Sequence, residues 1–430
     1  MILSGSIDSP SERALAIVNI KFRVQPPNQK EGRKYLQRQA KPNRNITLLG
    51  TAHSLNHSLF VITPPLLSLI LASLGVTKFE IGLVSTIASM IYGGGALLGG
   101  PLGDRIGEIK AIAICLALSG LPAPLMLLAG FTGEFYVYAV TLTLMAFWAS
   151  FYHPISNSFI SKAFKVRVSE AMGLHGVGGT LGVVLTPTVA WFLGASFGWP
   201  WAFVFFGALS VLFAMLFARR AVRTEEVSHS STTIRSIDRS IFDSPRIREL
   251  RAVMILSVAI GLLKAVELFF PTYLKENRGV DPMWASVAYT VLLAFGVPGQ
   301  LIGGKTASVI GSKKTLIGTC AAMCASLLFL LFLPIYFVGM AIFIVLYGLF
   351  FNAHQPALTA LTGVLSPYEQ RGAVFGIFFF TFFGIGSVSQ LISGYVADVY
   401  GLDVAFYLLT IFAAVALLLC FRLPEERRSV

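Results

Sequence analysis

The chain has 430 residues, of which 55% are hydrophobic and only 13% are charged, and its formal net charge is +12. A soluble globular protein carries about 25% charged residues, so this composition excludes an ordinary soluble protein and predicts one that lies mainly in lipid. The positive charge does not indicate a nucleic-acid partner, because the Lys and Arg residues lie in short polar segments between apolar runs, where membrane topology accounts for them.

Twelve apolar runs are long enough to cross a bilayer core of about 30 Å, which takes roughly 20 residues of helix. We number them as predicted helices 1 to 12, over residues 46–73, 80–101, 110–130, 135–160, 169–195, 200–219, 251–273, 284–306, 314–333, 336–362, 371–396 and 403–421. The polar segments divide the chain into a basic cytoplasmic tail (1–44), a six-helix bundle (45–219), a Ser/Arg-rich cytoplasmic linker (220–250), a second six-helix bundle (251–422) and a short cytoplasmic tail (423–430).

The two bundles are similar in sequence. GPLGDRIGEIK (100–110) matches GKTASVIGSKK (304–314), and FYHPISNSF resembles NAHQPALTA so that His153 aligns with His354. The copies run in the same direction with an even number of helices each, which predicts parallel repeats related by an axis along the membrane normal. The predicted fold class is therefore an all-α integral membrane protein, with twelve transmembrane helices in two parallel six-helix repeats and a binding cavity between them.

The distribution of Lys and Arg predicts the orientation. If alternate segments are cytoplasmic, only Lys78, Lys275 and Arg278 fall on the opposite side, and Lys264 lies inside a helix. Positively charged loops stay on the cytoplasmic side of a membrane. We therefore predict that both termini are cytoplasmic, in a multi-pass protein of the plasma (inner) membrane.

The segment 100–110 also carries a family resemblance. It is similar to G-x-L-a-D-r-x-G-r-k, the signature between helices 2 and 3 of the major facilitator superfamily, and it departs from that signature at Glu108. The second copy has Ser308 where Asp104 stands in the first. The resemblance spans predicted helices 1 to 12. It implies the major facilitator fold and a secondary transporter that works by alternating access, as a monomer, without a cofactor and without enzymatic activity.

In the family this loop latches the two halves together on the cytoplasmic side, so the resemblance implies the same role here. A tight, positively charged turn is the alternative interpretation. The latch residues that we assign are Gly100, Asp104, Arg105, Gly107 and Lys110.

Predicted helix 5 is rich in glycine. Its segment GVGGTLG (176–182), followed by Thr186 and Pro187, resembles a signature of proton-coupled antiporters in the family. Small residues at this spacing also let two helices pack closely, which is enough to explain them structurally. The residues that we assign to helix packing are Gly176, Gly178, Gly179, Gly182 and Pro187.

A closer resemblance is to fosmidomycin-resistance-type efflux carriers. It rests on HSLN (53–56), FYHP (151–154) and GVGG (176–179). The sequence departs from that group at His57, where an acid is expected, and at His175, where an amide is expected. At these two positions, hydrogen bonding between helices is the alternative to a place in the cavity.

Ionisable and polar residues inside the helices form the candidate site, because each ionisable one costs about 2.5–3.5 kcal/mol to insert. His53 and Asn56 lie three residues apart in predicted helix 1 and align with Lys264 and Glu267 in predicted helix 7. Residues at that spacing share a helix face, so both pairs can point into one cavity. The substrate-binding candidates are His53, Asn56, His57, His153, Lys264, Glu267, Asn352, His354 and Gln355, and the proton-coupling candidates are Glu267 and His53.

These residues favour a proton-coupled carrier. A cavity with a Lys and several imidazoles attracts anions, and Glu267 or a histidine can carry a proton. We predict export of a small organic anion or drug-like molecule, with proton-coupled uptake of an organic acid or other nutrient as the alternative. The expected partners are the small-molecule substrate, protons and the lipid bilayer.

One alternative belongs to another functional class. His53 and His57 have the spacing that puts two imidazoles on one metal ion, which is compatible with a transition-metal carrier or a membrane metalloenzyme. No HExxH motif accompanies the pair. We therefore assign no metal ligand from the sequence.

Overall fold

The computed structural model describes residues 45–164, 168–221, 246–367 and 371–425. Within these ranges, twelve helices are long and apolar enough to cross a membrane. They are α1 (Asn45–Leu74), α2 (Lys78–Gly99), α3 (Glu108–Thr132), α4 (Phe135–Ala163), α5 (Ala171–Phe197), α6 (Pro200–Arg220), α7 (Ile247–Arg278), α8 (Pro282–Ile310), α9 (Ser312–Phe332), α10 (Tyr336–Leu365), α11 (Ala373–Tyr400) and α12 (Leu402–Cys420).

The predicted all-α membrane fold is therefore confirmed. Helices α1 to α6 form one half, here called the N half, and α7 to α12 form the C half. The predicted tail 1–44, most of the linker 220–250 and most of the tail 423–430 lie outside the described residues, so their roles stay predictions.

Helix α7 is longer than its apolar run. It continues to Arg278, beyond the predicted end at residue 273. Its polar last turns stay helical because their side chains have partners: Glu276 pairs with Lys78 at 3.0 Å, and the amide of Asn277 donates to Asp403 at 2.8 Å. A prediction from hydropathy alone therefore places the end of such a helix too early.

Prolines accompany a break near the middle of two helices that carry candidate site residues. Helix α1 loses helical geometry at residues 59–62, just before the pair Pro64–Pro65, and α4 is broken at residues 150–151, just before Pro154. A proline lacks the backbone donor and clashes with the preceding turn, so it favours a break there. In a membrane, such irregular backbone is tolerated where it is buried in protein or lines a cavity.

Helix α7 is also broken, at residues 262–263, and resumes at Lys264. No proline stands immediately after this break. The three breaks place His57, His153 and Lys264 within two residues of irregular backbone. Three of the candidate site residues therefore lie beside irregular helix backbone.

Helices α1 and α5 pack with their backbones in contact. A Cβ atom on Gly178 would lie 2.3 Å from the carbonyl oxygen of Gly50, and one on Gly182 would lie 2.1 Å from that of Ser54. No side chain fits at such distances, so glycine is required at both positions for this helix pair to form.

The other assigned packing residues of α5 differ in their surroundings. A Cβ atom on Gly179 would lie 2.4 Å from the ring of His53, whereas one on Gly176 would meet nothing within 4 Å. The carbonyl of Pro187 accepts a hydrogen bond from the Ser286 hydroxyl of α8 at 3.0 Å. Gly176 thus takes no part in the close contact between α1 and α5.

This difference gives a matched pair of substitutions. We expect Gly182→Ala to lower the free energy of unfolding by about 1–3 kcal/mol, because the added methyl group overlaps the Ser54 carbonyl and separates α1 from α5. Gly176→Ala, on the same helix, should instead be neutral or stabilising by up to about 1 kcal/mol, because alanine is the better helix former. Thermal unfolding of both variants in detergent, followed by fluorescence-detected size exclusion, measures the contrast; equal melting temperatures would contradict it.

The two halves meet at one end of the molecule. We call this end, which carries Lys78, the Lys78 end, and the opposite end, which carries Asp104, the Asp104 end. The carboxylate of Asp398, in the last turn of α11, accepts hydrogen bonds from the backbone N–H groups of Lys78 at 3.1 Å and Phe79 at 2.7 Å. Together with the pair of Lys78 and Glu276, these residues form what we call the Lys78 clasp.

Further polar contacts between the halves lie deeper in the molecule. The Thr188 and Thr290 hydroxyls are 2.7 Å apart between α5 and α8, and Thr86 of α2 donates to the carbonyl of Ser387 in α11 at 2.9 Å. The hydrogen bonds and ion pairs that join described residues of one half to described residues of the other all belong to the Lys78 side of the molecule. In this structure the two halves are therefore closed against each other at the Lys78 end.

Candidate functional site

Four histidines of the N half form one cluster. The ring centroid of His53 lies 4.5 Å from that of His57, 4.9 Å from that of His153 and 4.1 Å from that of His175. His53 and His57 come from α1, His153 from α4 and His175 from α5. The cluster joins three helices that pack around the break in α4.

Hydrogen bonds fix the tautomers of two of these rings when they are neutral. Nδ1 of His53 lies 2.7 Å from the carbonyl oxygen of His175, which can only accept, so Nδ1 carries the hydrogen. Nε2 of His53 is then left with a lone pair, and this atom is buried without a hydrogen-bond partner among the described residues. The Tyr152 hydroxyl donates to the Leu49 carbonyl at 2.8 Å, so it accepts from Nε2 of His175 at 3.1 Å.

The other two rings face each other. Nε2 of His57 lies 3.1 Å from Nε2 of His153. One nitrogen must donate and the other must accept, so the contact holds a single hydrogen between the two rings. Both rings are half-buried. The pair is thus the more accessible part of the cluster, whereas His53 and His175 are buried behind it.

The C half supplies a cation. Nζ of Lys264 lies over the ring of Phe383, 4.6 Å from its centroid, and 6.0 Å from that of Phe382. An ammonium over an aromatic face is stabilised by about 0.5–2 kcal/mol. No carboxylate oxygen of the described residues lies within 4.0 Å of this ammonium. The positive charge of Lys264 is therefore held by aromatic rings and is available to an anion.

Glu267 lies one turn beyond Lys264 on α7, and the two charges attract each other at longer range. The carboxyl group is half-buried and lies within electrostatic range of the phenols of Tyr289 in α8 and Tyr347 in α10. The Tyr347 hydroxyl donates a hydrogen bond to the carbonyl of Leu263, one of the two residues in the break of α7, at 2.9 Å. Glu267 is thus an acid with one cation and two phenols around it.

Tyr92 of α2 connects the histidine cluster with this cation. Its ring centroid lies 6.3 Å from that of His153 and 5.9 Å from that of Phe383. The charge of Lys264 also acts directly on His57. The two halves therefore bring one polar site together, with histidines on one side, Lys264 and Glu267 on the other and Tyr92 between them.

Sequence reasoning did not find Tyr92, Phe383 or Tyr152. A signal existed for Tyr92, because it is a hydroxyl-bearing aromatic that stands directly before the glycine run 93–95 in an otherwise apolar helix. Phe383 carries no such signal, since it is one of 35 phenylalanines in the chain.

Three other predicted binding residues, Asn56, Asn352 and Gln355, do not take part in the contacts described so far. The amide of buried Asn56 donates to the Ala149 carbonyl of α4 at 3.2 Å, and that of Asn352 donates to Gly348 of its own helix at 3.2 Å. Gln355 is exposed. In the structure, Asn56 thus links α1 to the backbone beside the break in α4, whereas Asn352 bonds only within its own helix.

His354 does not join the histidine cluster. It is buried in the C half, where Nδ1 donates to the Phe351 carbonyl and the ring packs 5.5 Å from that of Phe382. The sequence repeat aligned it with His153, but only the N-half partner meets other histidines.

The predicted latch residues lie at the Asp104 end. Asp104 and Glu108 both pair with Lys162 of α4, at 3.2 Å and 2.6 Å, so these acids are bound within the N half. Arg105 and Lys110 are exposed, and no ion pair joins either of them to another described residue. Gly107 adopts a positive φ of 85°, as the turn into α3 requires, and Gly100 lies in the helical stretch that ends at Ile106. A latch between the halves at this end stays a prediction.

Comparisons with known proteins agree with the fold. A family model described as the Major Facilitator Superfamily matches residues 49–390. The chain is similar to the fosmidomycin resistance protein of Escherichia coli K12, with 24% identity over 74% of this chain and 77% of that protein. It is also similar to the sialic acid transporter NanX of the same organism, with 24% identity over 84% and 89% of the two chains.

A solved structure shows the same architecture. The crystal structure of a mutant of the nucleoside transporter NupG superposes with a TM-score of 0.74 at 16% identity, over 88% of this chain and 99% of that one. At this identity the likeness establishes the fold and leaves the transported molecule open.

Proposed function

Because the chain belongs to the Major Facilitator Superfamily, whose members are transporters and not enzymes, we propose that it moves a small organic anion across the membrane together with a proton. The observation that carries this proposal is the ammonium of Lys264, which lies on Phe383 without a carboxylate within 4.0 Å among the described residues. An unpaired cation inside a membrane protein is costly unless a partner compensates it. An anionic substrate is that partner.

The histidines complete an anion site. The His57 and His153 rings and the Tyr92 hydroxyl supply donors beside Lys264, and a carboxylate or phosphonate accepts several such hydrogen bonds at once. The name of the sialic acid transporter NanX refers to an acid, which supports an anionic substrate for this chain as well.

Glu267 provides the coupling. When its carboxyl group is ionised, it partly neutralises Lys264 and competes with the anion; when it is protonated, Lys264 attracts the anion fully. Proton binding and anion binding therefore favour each other, and by linkage the effect is mutual. Because the proton and the anion bind together, they cross the membrane together, and an inward proton gradient drives uptake of the anion.

Export is the second candidate, favoured by the similarity to the fosmidomycin resistance protein. Export against a proton gradient requires that substrate and proton exclude each other. Such mutual exclusion is expected for a drug-like molecule that binds at Glu267 in place of the proton and does not pair with Lys264.

The two candidates are separated by transport assays in liposomes. A thermal-shift screen of purified protein over organic acids, phosphonates, sugars and drugs finds a ligand, whose accumulation is then followed under imposed pH gradients. We expect an acid to stabilise the protein and to accumulate on the side opposite the acidic medium. Accumulation on the acidic side itself would establish exchange and overturn cotransport.

Glu267→Gln tests the coupling residue. The amide resembles the protonated acid, so we expect the variant to keep exchanging labelled for unlabelled substrate while a pH gradient no longer causes accumulation above the equilibrium level. Glu249→Gln, in the first turn of the same helix, should behave as the unmodified protein. Gradient-driven accumulation that persists in Glu267→Gln would exclude this carboxyl group.

A further inference from the structure

We propose that His53, His57 and His153 form a binding site for a divalent transition-metal ion. One ring nitrogen of each lies within 4.8 Å of one nitrogen of the other two. Among the described residues, this is the one group of three His, Cys, Asp or Glu side chains whose ligand atoms lie that close. All three ligands belong to the N half, and two of them, His57 and His153, are also assigned to the proposed anion site.

The three rings are arranged to converge. The ring planes of each pair are nearly perpendicular. The interplanar angles are 80° for His53 and His57, 88° for His53 and His153, and 89° for His57 and His153. In a tetrahedral site with metal–nitrogen distances of about 2.0–2.1 Å, ligand nitrogens lie roughly 3.4 Å apart. The ligand nitrogens therefore need to approach one another by at most about 1.4 Å, and the helix breaks beside His57 and His153 make such a movement easier.

The tautomers suit metal binding. A metal-ligating histidine usually donates its other ring N–H to a carbonyl or carboxylate, which fixes the ring and its lone pair. His53 does this through Nδ1 and the His175 carbonyl at 2.7 Å, and its Nε2 is buried with no partner among the described residues. The ring of His53 is only 7% exposed, so this lone pair is costly to leave unmatched.

The contact between His57 and His153 presents the other two ligands. Their Nε2 atoms, 3.1 Å apart, now share a single hydrogen. When an ion binds, the donor ring changes tautomer: its hydrogen moves from Nε2 to Nδ1 by exchange with solvent, so both rings stay neutral and both Nε2 atoms bind the ion through lone pairs. The free energy of metal–nitrogen bonding compensates for the lost hydrogen bond.

The donor set identifies the class of ion. Three neutral imidazoles suit Zn²⁺, Co²⁺, Ni²⁺ or Cu²⁺, whereas Mg²⁺ and Ca²⁺ need oxygen ligands. Three protein ligands leave the fourth tetrahedral position for water or an anion. Lys264, whose charge reaches His57, favours an anionic fourth ligand.

Cobalt is the probe, because its visible absorption reports ligand type and geometry. Metal-free full-length protein, purified without a polyhistidine tag, is titrated with CoCl₂. We expect one Co²⁺ per chain, with the intense visible bands of a four-coordinate ion, and displacement by ZnCl₂. Absence of these bands, or binding without a fixed stoichiometry, would overturn the proposal.

Variants locate the site. His57→Gln and His153→Gln should weaken Co²⁺ binding by at least the roughly 10- to 100-fold that loss of even an outer-shell partner costs. His354→Gln, which changes a buried histidine of the other half, should leave the affinity and the spectrum unchanged. Circular dichroism and thermal unfolding confirm that each variant is folded. Equal affinity in His57→Gln and the unmodified protein would place the metal elsewhere and refute the site.

Discussion

Lys264→Gln is expected to weaken binding of the transported anion by roughly 30- to 5,000-fold. Truncating one partner of a desolvated charge pair costs about 2–5 kcal/mol, and each 1.4 kcal/mol corresponds to a factor of ten in Kd. The expected loss is large because no other described Lys or Arg stands on Phe383 beside the histidine cluster. Titration of the stabilising acid found by thermal shift measures Kd directly.

Two further variants sharpen this prediction. Lys275→Gln removes an exposed Lys from the same helix and should leave Kd unchanged. Phe383→Leu keeps the charge of Lys264 but removes the aromatic face that positions it. The free energy of anion binding should therefore weaken by no more than the cation–π contribution of about 0.5–2 kcal/mol. If Lys264→Gln and Lys275→Gln weaken binding equally, the anion is attracted by net charge and not by the site.

Asp398→Ala is expected to move the conformational equilibrium away from closure at the Lys78 end. Asp398 caps the amino terminus of α2 from the opposite half, so its carboxylate stabilises only the state in which α2 and α11 are together. An N-cap contributes about 1 kcal/mol, and the exposure of Asp398 argues against a larger value. The closed population should therefore fall relative to the open one by about fivefold.

Spin labels measure this shift. Labels on cysteines introduced at Ser73 and Tyr400, both exposed at the Lys78 end, report the separation of the halves as a distance distribution. Native Cys115, Cys320 and Cys420 are buried, so only half-buried Cys324 needs replacement by Ser.

A matched control comes from the C half. Asp281 caps its own helix, α8, by accepting from the backbone N–H of Met283 at 2.9 Å. Asp281→Ala should therefore cost a similar amount of stability without changing the distance distribution. The role of the Lys78 clasp would be disproved if both Asp→Ala variants changed the distances equally, or if neither did.

The helices could be predicted because each is an apolar run of membrane length, and this information is local. The end of α7 could not, because its last turns are polar and stay helical only through Lys78 and Asp403, which are distant in sequence. The breaks near Pro64 and Pro154 were readable in principle, whereas the one before Lys264 has no local cause.

The candidate site was predicted in part. Ionisable residues are rare inside apolar helices, so they can be identified from the sequence, as His53, His153 and Lys264 were. Their distances depend on how α1, α4 and α7 pack, and no sequence spacing contains that information. His354 shows the limit, because an equivalent position in the repeat carries the same residue in a different environment.

The Lys78 clasp was missed although the sequence holds a signal for it. Asp398-Val-Tyr-Gly401 has the same spacing as Asp104-Arg-Ile-Gly107, and both glycines adopt a positive φ, of 91° and 85°. The comparison of repeats paired each segment with its counterpart in the other half, so it never set the loop after α2 beside the loop after α11. A comparison of all loops with one another would have found the pattern.

The pairing of one cation, Lys264, with one acid, Glu267, in the candidate site has an electrical consequence. In the proposed cycle, the empty carrier holds Lys264 charged and Glu267 ionised, and the loaded carrier holds Lys264 charged, Glu267 neutral and a monovalent anion. The formal charge that crosses the bilayer is zero in both cases. A membrane potential, worth about 2.3 kcal/mol per elementary charge per 100 mV, then does no work on either step, so the chemical gradients alone set the final accumulation.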